Sequence, residues 1–301
     1  MKATPSKYNK RNIKKGINMA QFTNQAQLSY NGTVINSNVA VGEIVGSLTV
    51  TKTAVRDTYA QGDTVTYVVS IVNTGSALSG LSLTDNLGAY GFGTGILTPL
   101  TYTADTVLYY TNGSLQPTPT VTYDGESLVI TGITVPANGN ATIVYETVAN
   151  QYAPLNDGGE IVNTVTVSGN GIAPITADEA VTAVSGPLLT ITKSISPVPV
   201  EENGTVTYTF LIQNLGNTEA VATDNLILTD TFNPVLTNVT AALNGTPWTE
   251  GTEYTYDEAT GLFTTTQSAI TVPAATFTQD PVTGVWQSTP GAATLTVTGT
   301  I

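Results

Sequence analysis

The feature that most restricts the fold is that the chain repeats itself. The block LTVTKTA (48–54) returns as LTITKSI (189–195), GDTVTYVVSIVNTG (62–75) as NGTVTYTFLIQNLG (203–216), and LSLTDNL (81–87) as LILTDTF (226–232). ITVPA stands at 133–137 and again at 270–274, and ATIVYET (141–147) is answered by ATLTVTG (293–299). Each block alternates polar and apolar residues, and Gly, Asn and Pro separate the blocks, which is the pattern of half-buried strands joined by turns. A repeat of this length means two copies of one structural unit.

Short strands at regular spacing with no helical pattern between them predict an all-β chain. We expect two tandem immunoglobulin-like Greek-key β-sandwich domains plus an N-terminal donor strand, rather than a parallel sheet. The donor strand follows from the phase of the repeat. The first copy runs on to IVNTVTVSGNG (161–171), whereas the second stops at Ile301 without an equivalent. The missing block stands at the other end of the chain, where FTNQAQLSYNG (22–32) aligns with it and places Asn24 on Asn163. The expected division is a basic leader at 1–18, a donor strand and linker at 19–43, a first domain at 44–184, and a second domain at 185–301 that lacks its last strand.

A sandwich without one strand leaves core side chains and backbone hydrogen-bonding groups uncovered, and such an edge captures a strand or aggregates. Residues 20–32 have the alternation a captured strand needs, with Phe22, Asn24, Ala26, Leu28 and Tyr30 on one face. Donated to the next copy, this strand makes a head-to-tail contact that propagates as a filament unless it closes a ring. Two alternatives stay open: fold-back onto the chain's own second domain, and no ordered strand.

The chain has no cysteine and no histidine, which excludes disulfides, thiol chemistry, Ser-His-Asp catalysis and histidine-ligated zinc. No metal site or cofactor is expected, and acidic turns such as Tyr256-Asp257-Glu258 and Gln279-Asp280 lack calcium-loop spacing. A net charge of -13 argues against nucleic acid and anionic membranes. Six of the nine basic residues precede Met19, and that stretch has no apolar core of a secretory signal; translation from Met19 would remove it. No run of apolar residues is long enough for membrane insertion.

After Met19 only two lysines remain, Lys52 and Lys193, at the same position of the two copies. Counting by two, both share a face with apolar neighbours. The same count turns Asp85, Asp230 and Asn163 inward. A buried, unpaired ammonium or carboxylate costs several kcal/mol, so a core lysine needs a chemical reason. Desolvation lowers a lysine's pKa and raises an aspartate's, and a neutral amine can attack an asparagine side chain, with the acid helping, to give an isopeptide bond and ammonia. The expected trios are Lys52, Asp85 and Asn163 within the first domain, and Lys193, Asp230 and a neighbouring subunit's Asn24. A plain buried Lys–Asp ion pair beside a satisfied asparagine is the alternative.

These motifs, with K(T/S), G(D)TVTY…NTG, LTD and NTVTVSG in order over 44–301, resemble the Ig-like conserved repeat domain of bacterial surface proteins, domain of unknown function number eleven. The resemblance implies a structural, often tandem module at the cell or spore surface, in a class known for Lys–Asn bonds with an acidic helper. The expected function is a self-assembling extracellular filament subunit whose partner is itself, with no external substrate. An adhesin-type module binding through the long turns 86–118 and 244–291 is the alternative. The six N-x-S/T sequons and the scattered Tyr109, Tyr110, Trp248 and Trp286 add little.

Overall fold

The computed structural model describes residues 19–45 and 48–301, with side chains described at 23–41 and 48–301. The basic leader expected at 1–18 and the Phe22 side chain lie outside them. The chain divides into two compact units, the first reaching Pro154 and including Glu160–Thr182, the second made of Leu155–Gly159 and Ala183–Ile301.

The N-terminal segment is a hairpin. Strands β1 (Met19–Asn24) and β2 (Gln27–Tyr30) run out, and β3 (Thr33–Asn36) and β4 (Ala40–Val45) return. β1 pairs with β4 from Met19↔Val45 to Asn24↔Ala40, and β2 with β3 from Gln27↔Asn36 to Tyr30↔Thr33. Asn31 and Gly32 close the turn at φ 45° and 76°, the two-residue geometry whose twist matches a hairpin. Every residue from Thr23 to Val41 is exposed. This corrects the expectation of one strand followed by a linker: residues 33–45 form the return strands.

The first sandwich contains β5 (Leu48–Ala54), β6 (Thr64–Asn73), β7 (Leu78–Asp85), β8 (Leu128–Val135), β9 (Asn140–Ala149), β10 (Glu160–Gly169) and β11 (Ile172–Ala183). One sheet carries β5, β6 and β9 side by side; the other carries β8, β7, β10 and β11. The chain crosses between sheets from β6 to β7, back from β8 to β9, and again from β9 to β10, which is the immunoglobulin-like Greek key. Burial alternates along these strands: Val65, Tyr67, Val69 and Ile71 of β6 and Val165 and Val167 of β10 are fully buried. At roughly 1.5–3 kcal/mol per buried aliphatic side chain, this inner face is the main stabilising term.

The second sandwich repeats the first sheet with β12 (Leu189–Ser196), β13 (Thr205–Asn214) and, after β14 (Thr229–Thr231) and β15 (Leu262–Thr265), β16 (Gly291–Thr300). β12, β13 and β16 are neighbours as β5, β6 and β9 are. The other sheet has only three strands, with β14 at its edge beside β15. Among the described residues of this unit, nothing stands where β10 and β11 stand in the first. β14 holds three residues where its counterpart β7 holds eight, consistent with an edge left without a partner. One 3-10 turn, Ala222–Asp224, is the sole helical element among the described residues.

Candidate functional site

In the first sandwich, Lys52 comes from β5, Asp85 from the end of β7, and Asn163 from β10. The period-two facing of each strand turns them into the space between the sheets, where their exposures are 3%, 0% and 0%. Lys52 Nζ donates to Asp85 Oδ2 at 2.7 Å, and Asn163 Nδ2 donates to the same oxygen at 3.4 Å. One carboxylate oxygen therefore gathers both nitrogens that an amide exchange must handle. The Tyr145 hydroxyl of β9 donates to this oxygen as well. Asp85 Oδ1 accepts from the Leu87 backbone N–H at 2.7 Å.

The turn after β7 does more than end a strand. Leu87 and Gly88 lie at φ 53° and 73°, a left-handed pair that costs energy at Leu87 and is easy at glycine. The conformation aims the Gly88 N–H between two acceptors, Asn86 Oδ1 at 3.0 Å and Asn163 Oδ1 at 3.2 Å. A Cβ at position 88 would meet Ile161 Cγ2 at 2.5 Å, so glycine is required for space too. Because a backbone N–H can only donate and Asp85 receives, the asparagine amide is oriented: oxygen to Gly88, nitrogen to Asp85.

The electrostatics favour a reactive amine. Burial lowers Lys52 from 10.5 to about 8, against the opposing pull of Asp85. Its ammonium lies 4.5 Å from the Tyr67 ring centre, on a stacked Tyr67–Tyr145 pair. Burial raises the Tyr145 phenol well above its usual range, with Asp85 adding to the effect. It also raises that of Tyr67, which the neighbouring Asn163 side chain partly offsets. Both phenols stay protonated, and Tyr145 is thus a hydrogen-bond donor to Asp85.

The chemistry available is amide exchange. Neutral Lys52 Nζ attacks Asn163 Cγ; the Nζ–Cγ bond forms and the Cγ–Nδ2 bond breaks. Asp85 Oδ2, touching both nitrogens, takes a proton from Nζ and returns it to Nδ2, which leaves as ammonia. The Gly88 N–H, already on the carbonyl oxygen, stabilises its developing charge. The acid expected to help the exchange thus sits where it can move the proton, and the carbonyl oxygen is met by a backbone donor instead.

The second sandwich holds the same pair in a different state. Lys193 Nζ donates to Asp230 Oδ2, and Lys193 sits 4.5 Å from the Tyr208 ring centre, as Lys52 does over Tyr67. Yet the two side chains are 40% and 19% exposed, and every residue of β12 is exposed. The expectation that Lys193 and Asp230 are buried is corrected. They face inward, but the side of the sandwich they face is uncovered. Leu189 and Ile191 are 37% and 55% exposed where Leu48 and Val50 are 5% and 0%. The space forms a groove of about 360 Å³ lined by Leu189, Ile191, Ile212, Leu226, Leu228 and Ile270, among others.

Asn24 ends β1 and is exposed, opposite Ala40. Ala26, Leu28 and Tyr30 are exposed also. Sequence reasoning missed Tyr145, Gly88 and Leu87. Tyr145 is replaced by Val297 in the second copy, so the repeat did not flag it, and the other two act through backbone groups. Trp248 packs against the second core, and no three acidic residues among the described residues group to hold a metal ion. No helix among them is long and apolar enough to cross a membrane.

No family description matches the chain, and no curated protein matches it. Among solved structures it is similar to BcpA, the major pilin subunit of Bacillus cereus, at 12% identity over 91% of this chain and 73% of that one, with a TM-score of 0.36. It is also similar to the pilus backbone RrgB from Streptococcus pneumoniae, at 11% identity over 81% and 55%, TM-score 0.33. A further likeness is to ACE19, the collagen binding subdomain of the Enterococcus faecalis surface protein ACE, at 7% identity over 44% and 94%, TM-score 0.29.

Proposed function

We propose that the chain is a structural subunit of an extracellular surface filament. It joins head to tail when residues 19–32 of one copy enter the open second sandwich of the next, and Lys–Asn isopeptide bonds seal the assembly. One bond joins Lys52 to Asn163 within the first sandwich; the other joins Lys193 to Asn24 of the neighbouring copy. The observation that carries this reading is the contrast between the two lysine–aspartate pairs. One is enclosed with its asparagine, and the other is open beside an apolar groove, with no asparagine of its own unit hydrogen-bonded to the pair among the described residues.

The chain is free of cysteine, so an engineered disulfide reports docking cleanly. In the first sandwich Thr166 pairs with Thr84; by the repeat these positions are Gln27 and Thr229. Directly opposed residues on antiparallel strands lie within disulfide reach. The chain carrying Gln27→Cys and Thr229→Cys in an Asn24→Ala background is expected to give a ladder of disulfide-linked oligomers, with filaments by electron microscopy. Monomers alone under oxidising conditions would refute the assembly. Intact mass tests the sealing: each bond removes one ammonia, and an unchanged mass reduces the trios to ion pairs.

A further inference from the structure

The N-terminal hairpin repeats the hairpin formed by β10 and β11 in its turn and in its register at Asn24, with the one-residue slip set earlier along the outgoing strand. In β10–β11, Asn163 stands opposite Glu179; in the N-terminal hairpin, Asn24 stands opposite Ala40. The offset between the hairpins is the same for both members of the pair. The turns match too: Asn170 and Gly171 lie at φ 48° and 75°, Asn31 and Gly32 at 45° and 76°. Each hairpin also slips by one residue on its return strand, between Val167 and Gly169 in the first case and between β1–β4 and β2–β3 in the second.

We infer that the element one subunit donates to the next is the whole hairpin 19–45, entering as a two-stranded unit in the place that β10 and β11 occupy in the first sandwich. This deepens the filament reading and rests on it. Donating one strand would require β1 and β2 to give up the ten cross-strand pairs they already make with β3 and β4. It would also leave the donated strand as a fresh bare edge. Donating the hairpin keeps those pairs and moves the edge outward by one strand.

The outgoing strand fills and the return strand closes. At the positions of Val165 and Val167, which are fully buried against the first core, the hairpin offers Ala26 and Leu28 to the groove. In β11 Ile175 stands opposite Val167, and in the N-terminal hairpin Ile35 stands opposite Leu28, so the return strand brings an apolar side chain to the same face as well as backbone pairing. β11 finishes the first sandwich by joining Thr58–Tyr59, and its Thr182 N–H donates to Asp57 O at 3.0 Å. The matching positions are Glu43 on the return strand and Val198 in the second sandwich, and Val198 is 75% exposed. Val198 is thus the position at which the return strand would close the second sandwich.

Hydrogen exchange on the full chain, compared between dilute monomer and filament, tests this. Amides of 22–30 and of 40–45 are both expected to slow at least tenfold on assembly. Slowing confined to 22–30 would overturn hairpin donation while leaving single-strand donation intact. No slowing in either segment of assembled material would overturn both.

Discussion

The two sandwiches share a lysine on the first strand, an aspartate on the third and a tyrosine under the lysine. In the first, Lys52 is enclosed and its ammonium form is disfavoured; in the second, Lys193 is 40% exposed. The sequences of the two strands do not account for this, since LTVTKTA and LTITKSI have the same pattern. What differs is whether β10 and β11 have counterparts. The comparison teaches that the reactivity of a core lysine is conferred by the element that covers it, so covering and activation are one event. Under the proposed docking, the element that covers the second sandwich brings the asparagine too.

The largest break of this comparison is expected from Asn163→Ala. The proposed bond from Lys52 to Asn163 would close a loop of roughly 110 residues, and a cross-link of that span contributes about 5 kcal/mol in the chain-entropy account. Calorimetry should show the first sandwich melting some 15 °C lower, with the mass of one ammonia retained. Asn24→Ala should leave the melting of the monomer unchanged.

Next in size is a pH effect, best read in Asn163→Ala, where Lys52 stays a free amine. Its folded value of about 8 lies below the unfolded 10.5, so between these the unfolded chain binds more protons and stability rises with pH. The gain should approach about 3 kcal/mol by pH 10, since each pH unit separating the two values contributes about 1.36 kcal/mol. Above pH 10, Tyr67 and Tyr145, raised by burial, act in the opposite direction. Urea titrations from pH 7 to 10 check it; a flat midpoint would show that Lys52 is not desolvated. In the wild-type chain, refolded from urea-solubilised material, the linking rate should climb about tenfold per pH unit below 8 and level off above.

Gly88→Ala sets a Cβ against Ile161 in a left-handed backbone. It should cost about 1–3 kcal/mol and slow ammonia loss in the first sandwich, measured by mass against time. Normal speed would remove the Gly88 N–H from the reaction. The smallest effect on the monomer should come from Lys193→Ala. Its ion pair is partly exposed, so the loss is expected within about 1 kcal/mol, although covalent ladders should disappear. Amine acetylation of the monomer should modify Lys193 readily and Lys52 not at all; equal labelling would erase the distinction between the two sites.

Much of this was legible from strand periodicity. Counting by two turned Lys52, Asp85 and Asn163 to one side, and the structure brings them together. The repeat offset that set Asn24 on Asn163 also holds in three dimensions. The return strands escaped notice because TVINSNVAVGEIV, with its Asn, Ser and Gly, does not alternate cleanly, and β11 hides behind Pro174 and the acidic Asp178-Glu179. The exposure of Lys193 was not readable, since facing belongs to one strand whereas burial needs a neighbour. The Gly88 N–H carries no side-chain signature at all.

The groove and the hairpin that fits it belong to the same polypeptide, and under the proposed docking this makes the subunit what polymer chemistry calls an AB monomer. Its complementary ends are present one to one at any concentration, so no second component has to be matched in amount. A linear polymer of any length then carries one open groove and one undocked hairpin, and the apolar surface left bare per subunit falls as the chain lengthens. Growth has no internal stop, and length would be set by whatever occupies one of those two ends.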